Sequence, residues 1–275
     1  MNVKTIYHSY IEACRATGAD FQPIEKSTLN EHLNIEHGTP LPVGVPNISY
    51  LCLGRGGYVN ATAAGGESIQ HVQMHKITSA IPFDMIPVAA REVGNDFTSQ
   101  ERSKYRLRRL ETHGGKKYFV YYGLAVDIST STPQIDEFTT VEGQTTTTVY
   151  EAQESQLTVD PVSLDGQGQP IQSTGKYLSV YIPFTVTLTK QQITDIIEAV
   201  TIVRGSANLA TINELCLVSG LDKDISNTLG GVPASYEELL AAQVCNFIGV
   251  NKPLNQSNEE LNFKLRLADT QPLLV

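Results

Sequence analysis

Two histidines four residues apart form the arrangement in this sequence that most resembles a metal site. On a helix, His71 and His75 would share one face, as the ligands of helical metal sites do. Val72 stands where a zinc protease of that type carries its catalytic glutamate. A histidine pair without further ligands is common, so we interpret both as surface or interface residues. The sequence predicts no metal and no cofactor.

Other patterns match reactive sites only in part. Gly54–Gly57 follows a predicted strand but lacks both the P-loop Lys-Ser/Thr and the full dinucleotide-binding pattern, so it predicts a turn. No Gly-x-Ser-x-Gly motif occurs. Four aspartates lie near turns without the rest of a calcium loop: Asp160, Asp165, Asp222 and Asp224. Four dispersed cysteines are predicted to be buried thiols: Cys14, Cys52, Cys216 and Cys245. We therefore expect a protein that is not an enzyme.

The main charge feature is a group of basic residues on one predicted hairpin. Two β-rich runs, Lys104–Glu111 and Lys116–Asp127, flank Thr112–Gly115, whose glycines permit a tight turn. Regular pairing would place Lys104, Arg106 and Arg108 on one face, and Tyr105 and Leu107 on the other. The candidate interface residues are Lys104, Arg106, Arg108, Arg109, Lys116 and Lys117.

Three interpretations of this hairpin remain open. It could contact passing DNA through phosphates, or dock onto an acidic partner subunit. It could also be an exposed hairpin of mixed charge, since Glu101 and Glu111 partly offset the cations. The net charge of −9 disfavours a general nucleic-acid-binding protein, because such proteins carry a basic excess.

The amino-acid composition limits the classes of protein to which this chain could belong. The 275 residues are 41% hydrophobic, which is enough for a substantial core. Only 18% are charged, and Thr, Ser, Gln, Asn and Gly take their place. A low charge content suits a surface covered by partners. The sequence shows neither a signal peptide nor a membrane span, so we expect no membrane association and assembly in the cytoplasm.

The elements that would position these residues are predicted from periodicity and caps. A helix begins near Val3 and ends at Gly18, and Phe21–Pro46 forms an extended arm. Strands are predicted at Asn47–Leu53, Tyr177–Leu188, Ala210–Val218 and Leu261–Leu267. Capping boxes predict helices at Lys190–Val200 and from Ser235 to about Ile248.

Together these elements predict an α+β fold. It has a mainly-β, antiparallel sandwich-like core, an N-terminal helix and two further helices. We expect one structural domain over residues 1–275. Residues 1–46 form the helix and arm, and residues 129–175 form an exposed Thr/Gln-rich β excursion.

Three stretches resemble virion structural proteins of contractile-tailed bacteriophages, of the neck, collar or head–tail connector type: Ile81–Arg91, Arg102–Glu111 and Ile212–Asp222. The resemblance covers about two-thirds of the chain in general texture. It implies a ring-forming homo-oligomer that joins head to tail, contacts other virion structural proteins and carries no catalytic residues. It also implies a location in the virion after assembly in the host cytoplasm.

Two alternatives remain beside the neck or collar subunit. The protein could be a tail or baseplate component, or a receptor- or carbohydrate-binding module of the distal tail. A binding module predicts surface aromatic residues grouped as a platform. The chain has 12 Tyr and no Trp, and three tyrosines cluster in one predicted strand at Tyr118, Tyr121 and Tyr122.

Overall fold

The computed structural model describes residues 2–35, 40–62, 68–128, 131–229, 232–254 and 259–274. Within these residues the protein is an α+β fold with antiparallel sheets, as predicted. The strands are β1 (Asn2–Lys4), β2 (Asn47–Gly54), β3 (Tyr58–Thr62), β4 (Ser68–Val72), β5 (Met85–Ile86), β6 (Ala89–Glu92), β7 (Tyr105–His113), β8 (Lys116–Ala125), β9 (Gln134–Val141), β10 (Gln144–Val149), β11 (Gln172–Leu188), β12 (Thr211–Leu229), β13 (Val232–Pro253) and β14 (Leu261–Leu274). The α-helices are α1 (Ile6–Thr17), α2 (Leu29–His32), α3 (Ser99–Arg102) and α4 (Lys190–Arg204).

The chain divides into two compact units. The first contains residues 1–127 and 188–261, and the second contains residues 128–187 and 262–275. A single domain over residues 1–275 is therefore too coarse a description. The predicted Thr/Gln-rich excursion lies almost entirely in the second unit.

An eight-stranded sheet forms the centre of the first unit. Its order is β1-β13-β12-β2-β8-β6, with β5 paired to β2 and β7 paired to β8. Strand β2 is buried on both faces, because the consecutive side chains of Leu51, Cys52 and Leu53 are all fully buried. Strands β12 and β13 form a long hairpin that pairs from Thr211↔Pro253 to Leu229↔Val232.

Each of the two longest helices has one end where the sequence predicts it. Helix α1 begins at Ile6 rather than near Val3, which lies in strand β1, and α4 continues past the predicted end at Val200. Helix α1 follows the N-cap Thr5 and ends at Gly18, which takes the left-handed conformation at φ 64°. Helix α4 begins with the predicted capping box of Thr189 and Gln192, and it runs to Arg204.

The predicted extended arm is instead part of the first unit's core. Thr28 and Glu31 form a capping box that opens the short helix α2. Asn30 donates to the Leu239 carbonyl at 2.7 Å and accepts from the Ala242 N–H at 2.9 Å. This part of the arm therefore packs on strand β13 of its own chain. Residues 36–39 lie outside the described residues.

The helix predicted from Ser235 to Ile248 is wrong, because this segment is strand β13. All ten residues from Glu238 to Phe247 are buried. An amphipathic helix would expose one face at every turn, whereas a central strand covered on both faces buries consecutive residues. Pairing with β12 and β1 therefore overrides the helical propensity of this segment.

A four-stranded sheet forms the second unit, with the order β10-β9-β11-β14. The predicted alternation in β11 holds for Phe184 and Val186, which are buried. It fails at Val180, which is 50% exposed, whereas Tyr181 beside it is buried. The buried face of the strand therefore changes between these two halves, and Pro183 lies between them.

All four cysteines are free and buried, as predicted. No helix in the described part of the chain is long and apolar enough to span a membrane.

Candidate interaction surfaces

The predicted basic hairpin is present as β7 and β8. The two strands pair from Tyr105↔Leu124 to His113↔Lys116 around Gly114 and Gly115. These glycines have φ values of 58° and 78°, which a tight turn requires and residues with a Cβ rarely adopt. The fold of the hairpin is thus as predicted, but the placement of its basic side chains is not.

Arg106 is buried and points into its own unit. Its Nε donates to Asp222 at 2.9 Å, and its Nη2 donates to Glu237 at 2.6 Å. The Tyr50 hydroxyl donates to the same Asp222, and burial together with this carboxylate raises the pKa of Tyr50. Arg106 therefore joins β7 to the β12–β13 hairpin.

Arg108 is also buried, with 2% of its side chain exposed. Its Nη2 donates to Asp96 at 2.7 Å, and the Tyr121 hydroxyl donates to the other oxygen of that carboxylate. The guanidinium lies over the rings of Phe119 and Tyr236, at 3.7 and 4.7 Å from their centroids. The Nε and Nη1 of Arg108 have no hydrogen-bond partner, and the guanidinium contacts these ring faces instead.

The carboxylate of Glu238 holds the backbone between these two arginines. It accepts from the N–H groups of Leu107 at 2.7 Å, Arg108 at 3.0 Å and Leu239 at 2.8 Å. Leu107 takes the left-handed conformation, with φ 57°. Burial raises the pKa of Glu238 to about 7, although its three N–H donors act in the opposite direction. The capping-box prediction assigned this glutamate to a helix and so missed this role.

These contacts reduce the predicted interface. Arg106 and Arg108 are enclosed in their own unit and are wrong as surface contacts, because acidic partners and aromatic rings of the same unit surround them. Lys104, Lys116 and Lys117 are exposed, and Arg109 is half-buried. Lys116 pairs with Glu92 at 2.9 Å, and Arg109 lies 3.8 Å from Glu111.

The second unit carries a strongly acidic surface that the sequence analysis did not single out. Residues 128–175 contain seven acidic side chains and no Lys or Arg: Asp136, Glu137, Glu142, Glu151, Glu154, Asp160 and Asp165. Five of them, from Glu142 onward, are exposed and belong to none of the ion pairs found among the described residues. A count of charge along the chain would have found this segment.

The same unit exposes apolar side chains along one long connection. Every residue from Glu151 to Gln172 is exposed. Before β11 begins at Gln172, the segment holds one short 3₁₀ turn, one isolated β-bridge and one hydrogen-bonded turn at Asp165–Gly168. Five large apolar residues in it are exposed: Leu157 87%, Val159 92%, Val162 40%, Leu164 59% and Ile171 41%. Connections of this length without regular structure are usually functional, and exposed apolar groups mark interaction sites. We call residues 151–172 the exposed connection.

The aromatic residues of the second unit do not form the open platform that a carbohydrate-binding module predicts. Phe138 and Tyr177 stack on each other, with ring centroids 4.9 Å apart and planes 4° apart. Each ring therefore covers one face of the other. Tyr181 is buried beneath the guanidinium of Arg266, 4.4 Å from its ring centroid.

His75 and Glu214 form an enclosed histidine–carboxylate pair in the first unit. The imidazole stacks between Phe83 and Phe247, at centroid distances of 3.9 and 3.6 Å. Its Nε2 lies 2.5 Å from Glu214 Oε1, and both side chains are 5% exposed. The adjoining cavity of about 20 Å³ has room for about one water molecule.

The predicted histidine pair does not form a helical metal site. His71 lies on strand β4 and His75 follows in a segment without helix, so the two do not share a helical face. The side chain of His71 lies outside the described residues. Among the described residues, no group of three His, Cys, Asp or Glu could hold a metal ion.

Comparison with known proteins adds a family. The model of a family of unknown function, DUF7208, matches residues 1–275. The chain belongs to DUF7208. Searches of curated proteins and of solved structures returned no match. The DUF7208 match spans both compact units, so the acidic second unit lies within the family's own extent.

Proposed function

We propose that this member of DUF7208 is a non-catalytic structural subunit of a contractile-tailed bacteriophage virion. In this proposal its copies form a ring in the neck or collar, between head and tail. The observation that carries the proposal is the exposed connection, in which every residue from Glu151 to Gln172 is exposed. A segment that exposes Leu157 and Val159 almost completely needs another surface to cover it.

The arrangement of charge supports assembly rather than chemistry. In the first unit, buried charged side chains such as Arg106 and Arg108 have acidic partners within the unit. In the second unit, exposed carboxylates such as Glu142 and Asp160 form no ion pair among the described residues. The first unit is therefore built as a rigid body, and the second presents groups that a partner can bind.

The kind of particle in this proposal is inferred from a resemblance to virion proteins. Three stretches carry it: Ile81–Arg91, Arg102–Glu111 and Ile212–Asp222. A ring forms when identical subunits repeat one heterologous interface until it closes. Other virion structural proteins then bind the free surfaces of that ring. A location elsewhere along the tail or in the baseplate would use the same assembly chemistry.

In this proposal, DNA passes through the ring without being bound by it. The net charge of −9 gives the subunit a repulsive field towards phosphates. With Arg106 and Arg108 buried, the hairpin keeps only Lys104, Lys116, Lys117 and the half-buried Arg109 for contacts. An acidic channel wall would let DNA slide, so we assign these exposed cations to protein partners.

The first experiment measures the mass of the purified protein in solution over a concentration series, with negative-stain images of the same samples. Closed rings, or a monomer that becomes a ring only with a partner from the same particle, support the proposal. A monomer that never assembles and instead binds a glycan or turns over a substrate overturns it.

A matched pair of variants tests the exposed connection. Leu157→Ser combined with Val159→Ser replaces two side chains that pack against nothing in their own chain. The control, Val43→Ser combined with Met74→Ser, removes comparably exposed apolar groups from the first unit. We expect both variants to keep the circular dichroism spectrum of the parent, and only the first to remain monomeric. Equal assembly of the two variants would mean that the exposed connection is not part of the interface.

A further inference from the structure

A strained residue interrupts strand β7 in the interior of the first unit. Leu107 has φ 57°, a left-handed conformation that residues with a Cβ rarely adopt, and its side chain is fully buried. Between the described strands β7 and β8, Leu107 forms no ladder pair. The pairs on either side of it are Arg106↔Gly123 and Arg108↔Tyr121. Such a conformation persists only where surrounding contacts hold it in place.

The contact that holds this conformation is the Glu238 carboxylate of β13. Its Oε1 accepts from the N–H groups of Leu107 at 2.7 Å and Leu239 at 2.8 Å, and its Oε2 accepts from the Arg108 N–H at 3.0 Å. Glu238 is fully buried and belongs to none of the ion pairs found in the part of the chain that the structure describes. An unpaired carboxylate in a protein interior is costly, because its charge loses the hydration that water provides. The group that holds β7 is therefore one whose charge favours leaving the interior.

The charged groups around Glu238 are bound to other partners. Arg106 of β7 favours the ionised form of Glu238, but its guanidinium donates to two other carboxylates. The guanidinium of Arg108 likewise donates to another carboxylate. Lys223 of β12, opposite Glu238 in the register, donates its ammonium to the Pro40 carbonyl at 2.7 Å. Burial therefore outweighs Arg106 and the three N–H donors, and it raises the pKa of Glu238 to about 7.

We propose that Glu238 is a pH-sensitive latch, which holds the Leu107 segment of β7 against β13 and releases it as pH rises through neutrality. Protonation at Oε2 leaves both hydrogen bonds to Oε1 in place, so the neutral carboxyl keeps the latch closed. Ionised Glu238 gains hydration when the segment opens, and Leu107 can then leave its left-handed conformation. This device belongs to the first unit alone and operates whether or not the copies form a ring.

Amide hydrogen exchange followed by NMR, corrected for the intrinsic exchange rate at each pH, tests the latch. We expect the Leu107 and Arg108 amides to exchange faster than those of Leu51–Leu53 in the central strand β2, because they need only the local opening. Proton linkage should raise their opening constant about thirty-fold between about pH 5.5 and about pH 8.5. Urea below the unfolding transition should accelerate exchange at Leu51–Leu53 and change it little at Leu107, because a local opening exposes little surface.

A matched pair of variants assigns the titration. Glu238→Gln keeps an acceptor for the Leu107 N–H but does not titrate, so the opening constant there should not change with pH. Glu237→Gln, at the preceding residue, should keep nearly the parent's pH dependence. A pH-independent opening constant in the parent, or an equal rise in Glu238→Gln, would overturn the latch.

The parent protein alone supplies a second decisive comparison, which stands even where Glu238→Gln does not fold. Exchange of the Leu107 and Arg108 amides at the rate of Leu51–Leu53, with the same response to urea, would mean that the segment opens only when the whole unit unfolds. That result would overturn the latch and leave the proposed function untouched. Faster, urea-insensitive exchange that rises with pH would support it.

Discussion

The buried carboxylate of Glu238 predicts a pH dependence of stability that can be isolated from every other titrating group. Burial raises the pKa of Glu238 from the ordinary value of 4.5 to about 7. A carboxyl group whose pKa is raised in the folded state contributes stability that is complete below its unfolded pKa and is lost as pH rises through the folded pKa. The window of loss therefore runs from about pH 4.5 to about pH 7 and slightly above.

The magnitude follows from the shift. Proton linkage with these two pKa values lowers the free energy of unfolding by about 2 kcal/mol between about pH 5.5 and about pH 8.5. Glu238→Gln removes the titration. The amide keeps an acceptor for the Leu107 and Leu239 N–H groups, but its NH₂ faces the Arg108 N–H, at a constant cost of about 1 to 3 kcal/mol. The cost of the substitution should therefore shrink by about 2 kcal/mol as pH rises over this range.

The assay is urea unfolding at several pH values, followed by the near-ultraviolet circular dichroism of the 12 tyrosines. Glu237→Gln is the matched control, because Glu237 is the preceding residue, is 48% exposed and forms an ion pair with Arg106. We expect the difference between parent and variant to change with pH for Glu238→Gln and to stay nearly constant for Glu237→Gln. A constant difference for Glu238→Gln, or one that grows with pH, would refute the reasoning.

Three further predictions concern packing and backbone conformation. Leu29→Ala should lower the free energy of unfolding by about 2 to 5 kcal/mol in urea, because Leu29 is fully buried, whereas Val43→Ala, at a 96% exposed position, should change it little. Arg108→Leu should cost about 3 kcal/mol in the same measurement, because it removes the buried guanidinium 2.7 Å from Asp96 and leaves that carboxylate with the longer Arg102 contact at 3.5 Å, and unchanged stability would contradict the assigned network. Gly175→Ala should cost about 1 to 3 kcal/mol, because Gly175 has φ 76° and a Cβ there would meet the Thr140 carbonyl. Amide hydrogen exchange should show that loss in strands β9 to β11 only, and Gly166→Ala, in open space, should leave exchange unchanged.

The sequence predicted elements well where local chemistry decides the structure. Thr189 and Gln192 cap α4 through contacts within one turn, and Gly18 ends α1 through its own backbone conformation. The β7–β8 hairpin depends on adjacent residues and the turn at Gly114 and Gly115. In each case the deciding contacts lie within a few residues, where a sequence pattern is informative.

Prediction failed where the deciding contact comes from a distant part of the chain. The segment after Ser235 has good helix formers, but its neighbours in the sheet are β12 and β1, and the latter lies more than two hundred residues away. Arg106 alternates like a solvent-facing residue, yet Asp222 and Glu237 enclose it. Only part of the candidate interaction surface was predicted, for the same reason. The exposure of most residues from 131 to 175 agrees with their composition, whereas burial of the arginines depended on partners that no local pattern indicates.

Some charged groups of the first unit, such as Arg108, are buried and bound within that unit, whereas charged groups of the second unit such as Glu142 are exposed. This difference supports a division of roles between the two units. Arg108 and Glu238 of the first unit are buried, and each binds groups of its own unit. Burying these charged groups has a desolvation cost that apolar residues at the same positions would avoid. The second unit leaves the carboxylate of Glu142 and the side chain of Val159 open to solvent. Buried polar contacts fix one arrangement of the strands that make them, whereas exposed carboxylates and apolar side chains stay accessible to a partner. A subunit that must hold its shape before assembly and join its neighbours afterwards requires both properties, and each occurs where the proposed ring would use it.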